Sequence, residues 1–375
     1  MEYLDYFCVP FILLYRFIVR AMPCLFRHRS KYSVSFASQL DSLQHYRGAW
    51  LRSLDKTSEM HVRDAFFIHM ARRFWSEDTT TLGRCVHRLA HAINSYGQVP
   101  WKFSDTWFER LQPSYNSENE QVCVVDANAQ FIIMVWWLYE KDTDKIEDLY
   151  LHCQRAWQWL QKRIVDTTLK EPEDASWDTA RQHSGHTLLT NIYVCQAIRC
   201  MELISLVLDD KRRSTRFKNM HGKFMSKWVG ELYKSQEALP RILGVLWNMV
   251  PDSFIMSFNQ QIQTPWIPLW VDGPETYHST LHAKFYGYSD KYKDIVWPWV
   301  GFLWMAILVD RHKVDIAQAW WTSYMQFHMA DTLYDMYEPK HGRPVRRAFL
   351  KAQPGHALTL ATFIAAQYKL ANSPA

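Results

Sequence analysis

Apolar residues recur at three- and four-residue steps through most of this chain, the spacing that places them on one side of an α-helix rather than on one face of a strand. From Thr81 to Asn94, Leu82, Val86, Leu89, Ala90 and Ile93 fall on one stripe, which predicts a surface helix with one buried side. Ala127 to Glu140 is apolar almost all round and predicts a helix covered on most sides. Thr143 to Arg163 then restarts with Thr143 as N-cap and repeats Ile146, Tyr150, Cys153, Trp157 and Leu160. The same alternation returns twice. A mostly apolar Thr187 to Val207 precedes an amphipathic Arg216 to Tyr233, and Trp297 to Val309 precedes Val314 to Leu333, where Ile316, Trp320, Tyr324 and Phe327 keep the spacing. A last helix covers about His356 to Leu370.

A covered helix followed by a half-covered one, repeated, is what an inner and an outer ring of helices require. The fold class expected is therefore all-α. At roughly thirty residues per helix and loop, the length accommodates about twelve helices, or six hairpins, in an (α/α)6 toroid. A stacked solenoid has the same period, so the pattern leaves closure of the ring open. Residues 46–375 read as one domain, with no low-complexity linker or composition break.

Residues 1–45 stand apart as an apolar and basic segment: Phe7 to Tyr15 is nearly all apolar, and Arg16, Arg20, Arg27 and Arg29 follow it. Glu2 and Asp5 occupy the place where a secretory signal carries basic residues, and the run is too short to span a bilayer. Packing against the toroid is expected, and any membrane contact is assigned to this segment alone.

Composition adds three points. The 18 Trp, 19 Tyr and 20 Phe supply rings that suit both a core and stacking on sugar faces. The 43 basic and 38 acidic residues are mixed along the chain and leave a net charge of only +5, so no nucleic-acid partner is expected. The runs Lys211-Arg212-Arg213, Arg72-Arg73 and Arg346-Arg347 read as solvated faces. The seven cysteines, Cys8, Cys24, Cys85, Cys123, Cys153, Cys195 and Cys200, are scattered and never spaced as CxxC, which points to a reducing, cytoplasmic setting. Cys85, His87 and His91 are the nearest approach to a metal set and read as an ordinary helix face. No cofactor is expected: there is no Gly-rich phosphate loop, GxSxG elbow or HExxH helix.

Reactive groups are expected on loops around one mouth of the ring. Four segments qualify: Tyr46-Arg47-Gly48-Ala49-Trp50 with Arg63-Asp64; Gly97-Gln98-Val99-Pro100 leading to Asp126-Ala127-Asn128; Ser176-Trp177-Asp178-Thr179 running through Gly185 to Thr190-Asn191; and Tyr334 to Pro339 followed by Gly342-Arg343-Pro344-Val345. At these segments, from about residue 46 onward, the chain resembles the six-hairpin inverting α-glycosidases. That group includes amylo-α-1,6-glucosidases, processing α-glucosidases, mannosylglycerate hydrolases and trehalases. Val125-Asp126-Ala127-Asn128 looks like the family's VDAN stretch, Trp297-Pro298-Trp299-Val300-Gly301 like its VWPW(I/V)G stretch, and Tyr334 to Pro339 like its Y-E-x-Y-x-P stretch.

The resemblance implies an acid that protonates the leaving oxygen and a carboxylate that activates water on the other face, roughly 6.5 to 9.5 Å apart. Asp178 matches the acid, with the Trp177 ring placed to shield it, and Asp174 is the reserve. Asp335 matches the base, a position that is Glu in the family; the missing methylene draws the carboxylate back by roughly 1.5 Å. Ala352-Gln353 and His356-Ala357-Leu358 replace the family's Ser-Glu and aromatic-Ser-Trp runs.

The expected substrate contacts are Trp50, Arg63, Asp64, Asp126, Asn128, Trp177, Trp297, Trp299 and Glu338, with a core role for each Trp weighing equally. Trp136-Trp137 and Trp320-Trp321 are assigned to packing. The resulting expectation is an inverting hydrolase of an α-linked glucose- or mannose-containing glycan or glycoside. The alternatives are a carbohydrate-binding relative without turnover and a sugar epimerase using His183 and His186. The partner expected is a carbohydrate, and the motifs do not specify sugar, linkage or oligomeric state.

Overall fold

The computed structural model describes residues 59–104, 125–143, 146–170, 187–235, 237–261, 296–326, 333–338, 342–345, 352 and 355–373. The N-terminal segment 1–45 lies outside them. The elements run β1 (Glu59–His61), α1 (Val62–Arg72), α2 (Thr80–Ala92), β2 (Lys102–Ser104), α3 (Asp126–Tyr139), α4 (Glu147–Gln161), β3 (Ile164–Val165), β4 (Thr168–Leu169), α5 (Leu188–Val207) and α6 (Lys211–Lys234). They continue with α7 (Ala238–Leu246), α8 (Ser253–Gln261), α9 (Pro298–Asp310), α10 (Val314–Gln326), β5 (Tyr337–Glu338), β6 (Arg343–Pro344) and α11 (Ala357–Ala371). The strands form three two-stranded antiparallel ribbons, β1 with β2, β3 with β4 and β5 with β6.

Six of these helices are covered on almost all sides. In α9, every residue from Pro298 to Val309 is buried, and in α3 only Trp136 and Leu138 interrupt the buried run. The others, α1, α5, α7 and α11, are nearly as covered. Between them stand helices with one buried stripe: α2 buries Leu82, Cys85, Val86, Leu89 and Ala90, and α6 buries Ser214, Phe217, Phe224, Trp228 and Leu232. A helix with its apolar residues on one side can satisfy only one neighbour layer, so these form the outer wall.

Packing contacts connect the covered helices in sequence, α1 to α3, α3 to α5, α5 to α7, α7 to α9 and α9 to α11, and α11 then packs on α1. That last contact closes the ring and excludes a stacked solenoid. Aromatic rings fill it: Phe66 stacks on Trp137 at 4.9 Å and meets Tyr193 edge-on at 5.5 Å, while Phe302 meets Phe363 at 5.2 Å. Each fully buried Phe or Leu contributes about 1.5–3 kcal/mol relative to exposure.

Helix boundaries differ from the sequence reading where capping chemistry intervenes. Helix α6 starts at Lys211 rather than Arg216, because the Asp210 carboxylate accepts from the Arg213 amide at 3.0 Å and caps it five residues earlier. Thr187, read from sequence as the first residue of α5, is its cap instead, accepting from the Thr190 amide at 3.2 Å. Thr143 does not cap α4. Its carbonyl accepts from the Ile146 amide in a turn, and the helix starts at Glu147. Helix α10 is described to Gln326, and Leu333 is buried outside any helix. The short helices α7 and α8 were not named from sequence; Pro240 lies within the first turn of α7, and a turn at Asn248, with its φ of 58°, separates the two.

The turn after α2 has one position with strict demands. Asn94 Oδ1 accepts from the amides of Tyr96 and Gln98, and between them Gly97 adopts a φ of 94°. A Cβ there would stand 2.4 Å from the Arg155 carbonyl oxygen, which belongs to a helix and has little room to retreat. Gly97→Ala is expected to cost about 2–4 kcal/mol, from the left-handed backbone and the collision together, read as a shift of the urea midpoint at unchanged slope.

Candidate functional site

Because each inner helix is followed by an outer helix running back, the six inner helices run parallel and their first turns gather at one end. Partial positive charge accumulates there, which favours carboxylates. Asp64 sits in the first turn of α1 and Asp126 opens α3. Arg63, Asp64, Asp126 and Asn128 thus lie on helix starts rather than in the loop segments expected from sequence, while Trp299 lies at the start of a helix as read from sequence.

The described cleft at this end is lined by His61, Val62, Arg63, Trp101, Asp126, Ala127 and Gln130 and is small, about 10 Å³. The α1 start is tied to the β1–β2 ribbon by the Val62 amide donating to the Trp101 carbonyl at 2.9 Å, and the His61 and Trp101 rings lie 5.1 Å apart. Arg63 Nε donates to Asp64 Oδ1 at 3.1 Å. Burial alone would raise the Asp64 carboxyl, but Arg63, His356 and His61 surround it with positive charge and hold it below the usual carboxylate range. Gln130 Nε2 donates to Asp126 Oδ2 at 3.2 Å. Burial pushes the Tyr193 phenol well above its ordinary value, the nearby Asp126 carboxylate adds to this, and Arg63 opposes it. Arg63, paired with Asp64, lines the same cleft as Asp126, and its guanidinium is a fork with the chemistry to grip vicinal hydroxyls.

Asp335 reaches the same end by another route. Val296 and Tyr337 exchange both main-chain hydrogen bonds at 2.9 Å, tying Asp335 two residues away from the partner of Val296, directly before Trp297. The Tyr334 amide donates to the Tyr337 hydroxyl at 3.0 Å, and Tyr334 and Trp297 pack on the same small cluster of Met336, Val345 and Ala352. Asp335 itself is 6% exposed. Glu338 pairs with Arg343 across β5–β6 and is half-buried, on the opposite side of the strand from buried Tyr337.

Two expected substrate contacts have other tasks. The Asn128 side chain is fully buried and spent on backbone: its Oδ1 accepts from the Val99 amide at 2.9 Å, and its Nδ2 donates to the carbonyls of Gly97 at 2.9 Å and Ala156 at 3.0 Å. Trp299 is 4% exposed and packs on Phe67 with ring centroids 4.7 Å apart. Trp50, Trp177 and Asp178, with the reserve Asp174, lie outside the described residues, as do His183 and His186. The Cys85, His87 and His91 set does not converge: Cys85 is buried with its thiol pushed up to about 12 by burial, while His87 and His91 face solvent. Sequence reasoning missed His61, Trp101, Gln130 and Tyr193 and read His356 only as a departure from pattern. Gln130, one turn after Asp126, was the legible signal among them.

Deeper in α1, His69 is 6% exposed and its Nδ1 meets no hydrogen-bond partner among the described residues. Burial, with Arg72 beside it, pulls its pKa down to about 3. The folded chain thus holds His69 neutral where the unfolded chain would protonate it. Its contribution is complete above about pH 6.5 and is lost as pH falls toward 3. Between pH 6.5 and 5 the wild type is expected to lose about 2 kcal/mol more stability than His69→Phe, measured by urea unfolding at each pH.

No protein-family model matches the chain, and no curated protein matches it in sequence. Solved structures do match in shape. A wild-type glycosidase superposes with a TM-score of 0.59 at 12% identity, covering 90% of this chain and 98% of its own. The mannosylglycerate hydrolase of Thermus thermophilus, solved in complex with glucose, gives 0.53 at 11% identity over 87% of this chain and 99% of its own. An alpha-L-rhamnosidase from Dictyoglumus thermophilum gives 0.56 at 12% identity over 89% of this chain and 37% of the longer enzyme. At these identities the likeness concerns the fold: the chain is an all-α (α/α)6 toroid of the six-hairpin glycosidase-like type.

Proposed function

We propose that this protein is an inverting glycoside hydrolase acting on an α-linked glucose- or mannose-containing glycan or small glycoside. The observation that carries the reading is the gathering of Arg63, Asp64, Asp126 and the Asp335 segment at one end of a closed ring that it shares with glycosidases. In this reading Asp335 takes the proton of the attacking water, Asp178 protonates the departing glycosidic oxygen, and Arg63 with Asp64 and Asp126 holds sugar hydroxyls. The ionised state of Asp64 suits an acceptor of hydroxyl hydrogen bonds. Trp297, packed on Met336 next in sequence to Asp335, supplies a ring for a sugar face. No residue in this scheme calls for a metal or cofactor.

The test is proton NMR of the first turnovers on α-glucosides and α-mannosides, including mannosylglycerate. The β-anomer of the free sugar is expected to accumulate first and mutarotate afterwards. First release of the α-anomer would replace inversion with retention, and no release from any of them would remove the hydrolase reading. A second reading, a sugar-binding relative without turnover, draws on Asp335 standing where the family has Glu. Glycan binding detected calorimetrically without product would favour it.

A further inference from the structure

We propose that the outer wall built from α4, α6 and the β3–β4 hairpin docks on an anionic lipid surface. Helix α6 carries eight cations, Lys211, Arg212, Arg213, Arg216, Lys218, Lys223, Lys227 and Lys234, against one acid, Glu231. Several are occupied: Arg213 by Asp210 and the Tyr150 hydroxyl, Lys234 by Glu231, and Lys227 by Thr168 and the Asp166 carbonyl. Arg212, Arg216 and Lys223 have no acidic partner among the described residues, and with Thr215, Asn219 and Met220 they recur at three- and four-residue steps along one stripe. That stripe lines an open groove of about 510 Å³, to which Ile164 and Thr167 of the hairpin also contribute. Clusters of like charge without counter-charge recruit anions from outside the chain.

Apolar groups frame the same wall. Leu206 and Val207, 56% and 39% exposed, end α5 just before Lys211, and Val165 is 44% exposed on the hairpin. Leu151, 64% exposed, follows Tyr150 on α4, whose hydroxyl joins Arg213. Protruding aliphatics beside basic side chains match the headgroup region of a bilayer, where the cations meet phosphates and the aliphatics enter the acyl boundary. A glycan would call for an exposed ring, and the ring that lines the groove, Phe224, is buried. No helix among the described residues is long and apolar enough to cross a membrane, so the contact proposed is peripheral. The sequence reading assigned Lys211-Arg212-Arg213 to solvent and any membrane contact to residues 1–45.

Co-sedimentation of the full chain with vesicles tests this. Binding is expected to vesicles of phosphatidylcholine mixed with phosphatidylserine, not to phosphatidylcholine alone, and to weaken as salt is raised. The R212Q/R216Q/K223Q variant is expected to partition roughly a hundredfold more weakly, about fivefold per cation. R212K/R216K retains charge and should bind like the wild type. L206S/V207S should weaken binding without altering the salt response. Equal partition into neutral vesicles, insensitivity of the wild type to salt, or undiminished binding by the triple variant would overturn the proposal; the salt titration needs no variant to fold. An absence of vesicle binding would overturn it as well, leaving a soluble acidic partner as the counter-charge.

Discussion

Asp335→Asn is expected to lower kcat/KM on the substrate identified by anomer analysis by a hundredfold or more, on the order of what general base catalysis contributes. The side chain is isosteric and sits in a segment clamped by the Val296–Tyr337 pairing and the Tyr334–Tyr337 hydrogen bond, so the fold should persist. What disappears is the ability to accept a proton from the attacking water. KM should change little, because the lost interaction belongs to the transition state. Asp178→Asn should give a comparable loss that is smaller on substrates with activated leaving groups, since those depart without protonation. Retained turnover in both variants, with unaltered circular dichroism, would dismiss the assignment.

Asp335→Glu separates the two readings. The added methylene moves the carboxylate by roughly 1.5 Å. If the shorter side chain is tuned to this site, Asp335→Glu loses activity. If the wild type only binds, Asp335→Glu is the change that would bring turnover into existence.

Asn128→Ala is expected to have the largest effect on stability, about 3–5 kcal/mol. Removing the amide orphans the buried Val99 N–H and the Gly97 carbonyl and strips a second donor from the Ala156 carbonyl, which keeps its helical bond. These belong to the turn after α2 and to α4, so the outer wall loses its anchor on α3. Asn128→Asp should be no better, since it keeps the acceptor, deletes both donors and buries a charge. Asn191 repeats the device on α5 with two bonds, accepting from the Leu169 amide at 2.8 Å and donating to the Thr187 carbonyl at 2.8 Å. Asn191→Ala should therefore cost less than Asn128→Ala. Chemical denaturation at fixed pH ranks them, and a reversed order would show that burial, not the number of bonds, governs the loss.

The role of Asn128 also marks where sequence reasoning stopped. Its place in the Val125 to Asn128 stretch was legible, but the same side chain serves a sugar or a backbone equally well, and only its three partners decide between them. Trp299 is the parallel case, a ring that suits stacking but is packed on Phe67. Arg63 and Asp64 were legible as a pair. Their conversation with His356 was not, because it joins the first and last described inner helices across nearly three hundred residues.

By itself the sequence determined that this chain is helical and that covered helices alternate with half-covered ones. The reason is local: the number of sides on which a helix carries apolar residues is written within its own dozen positions, as in α9 against α6. It did not mark Asp210 as a cap, and the start of α6 was placed five residues late for that reason. The tertiary structure decided that the ring closes, because the packing of α11 on α1 depends on a small rotation accumulated over every intervening hairpin and on no single residue. That closure brings the starts of α1 and α3 together, so that Arg63, with Asp64 on its guanidinium, and Asp126 border one cleft.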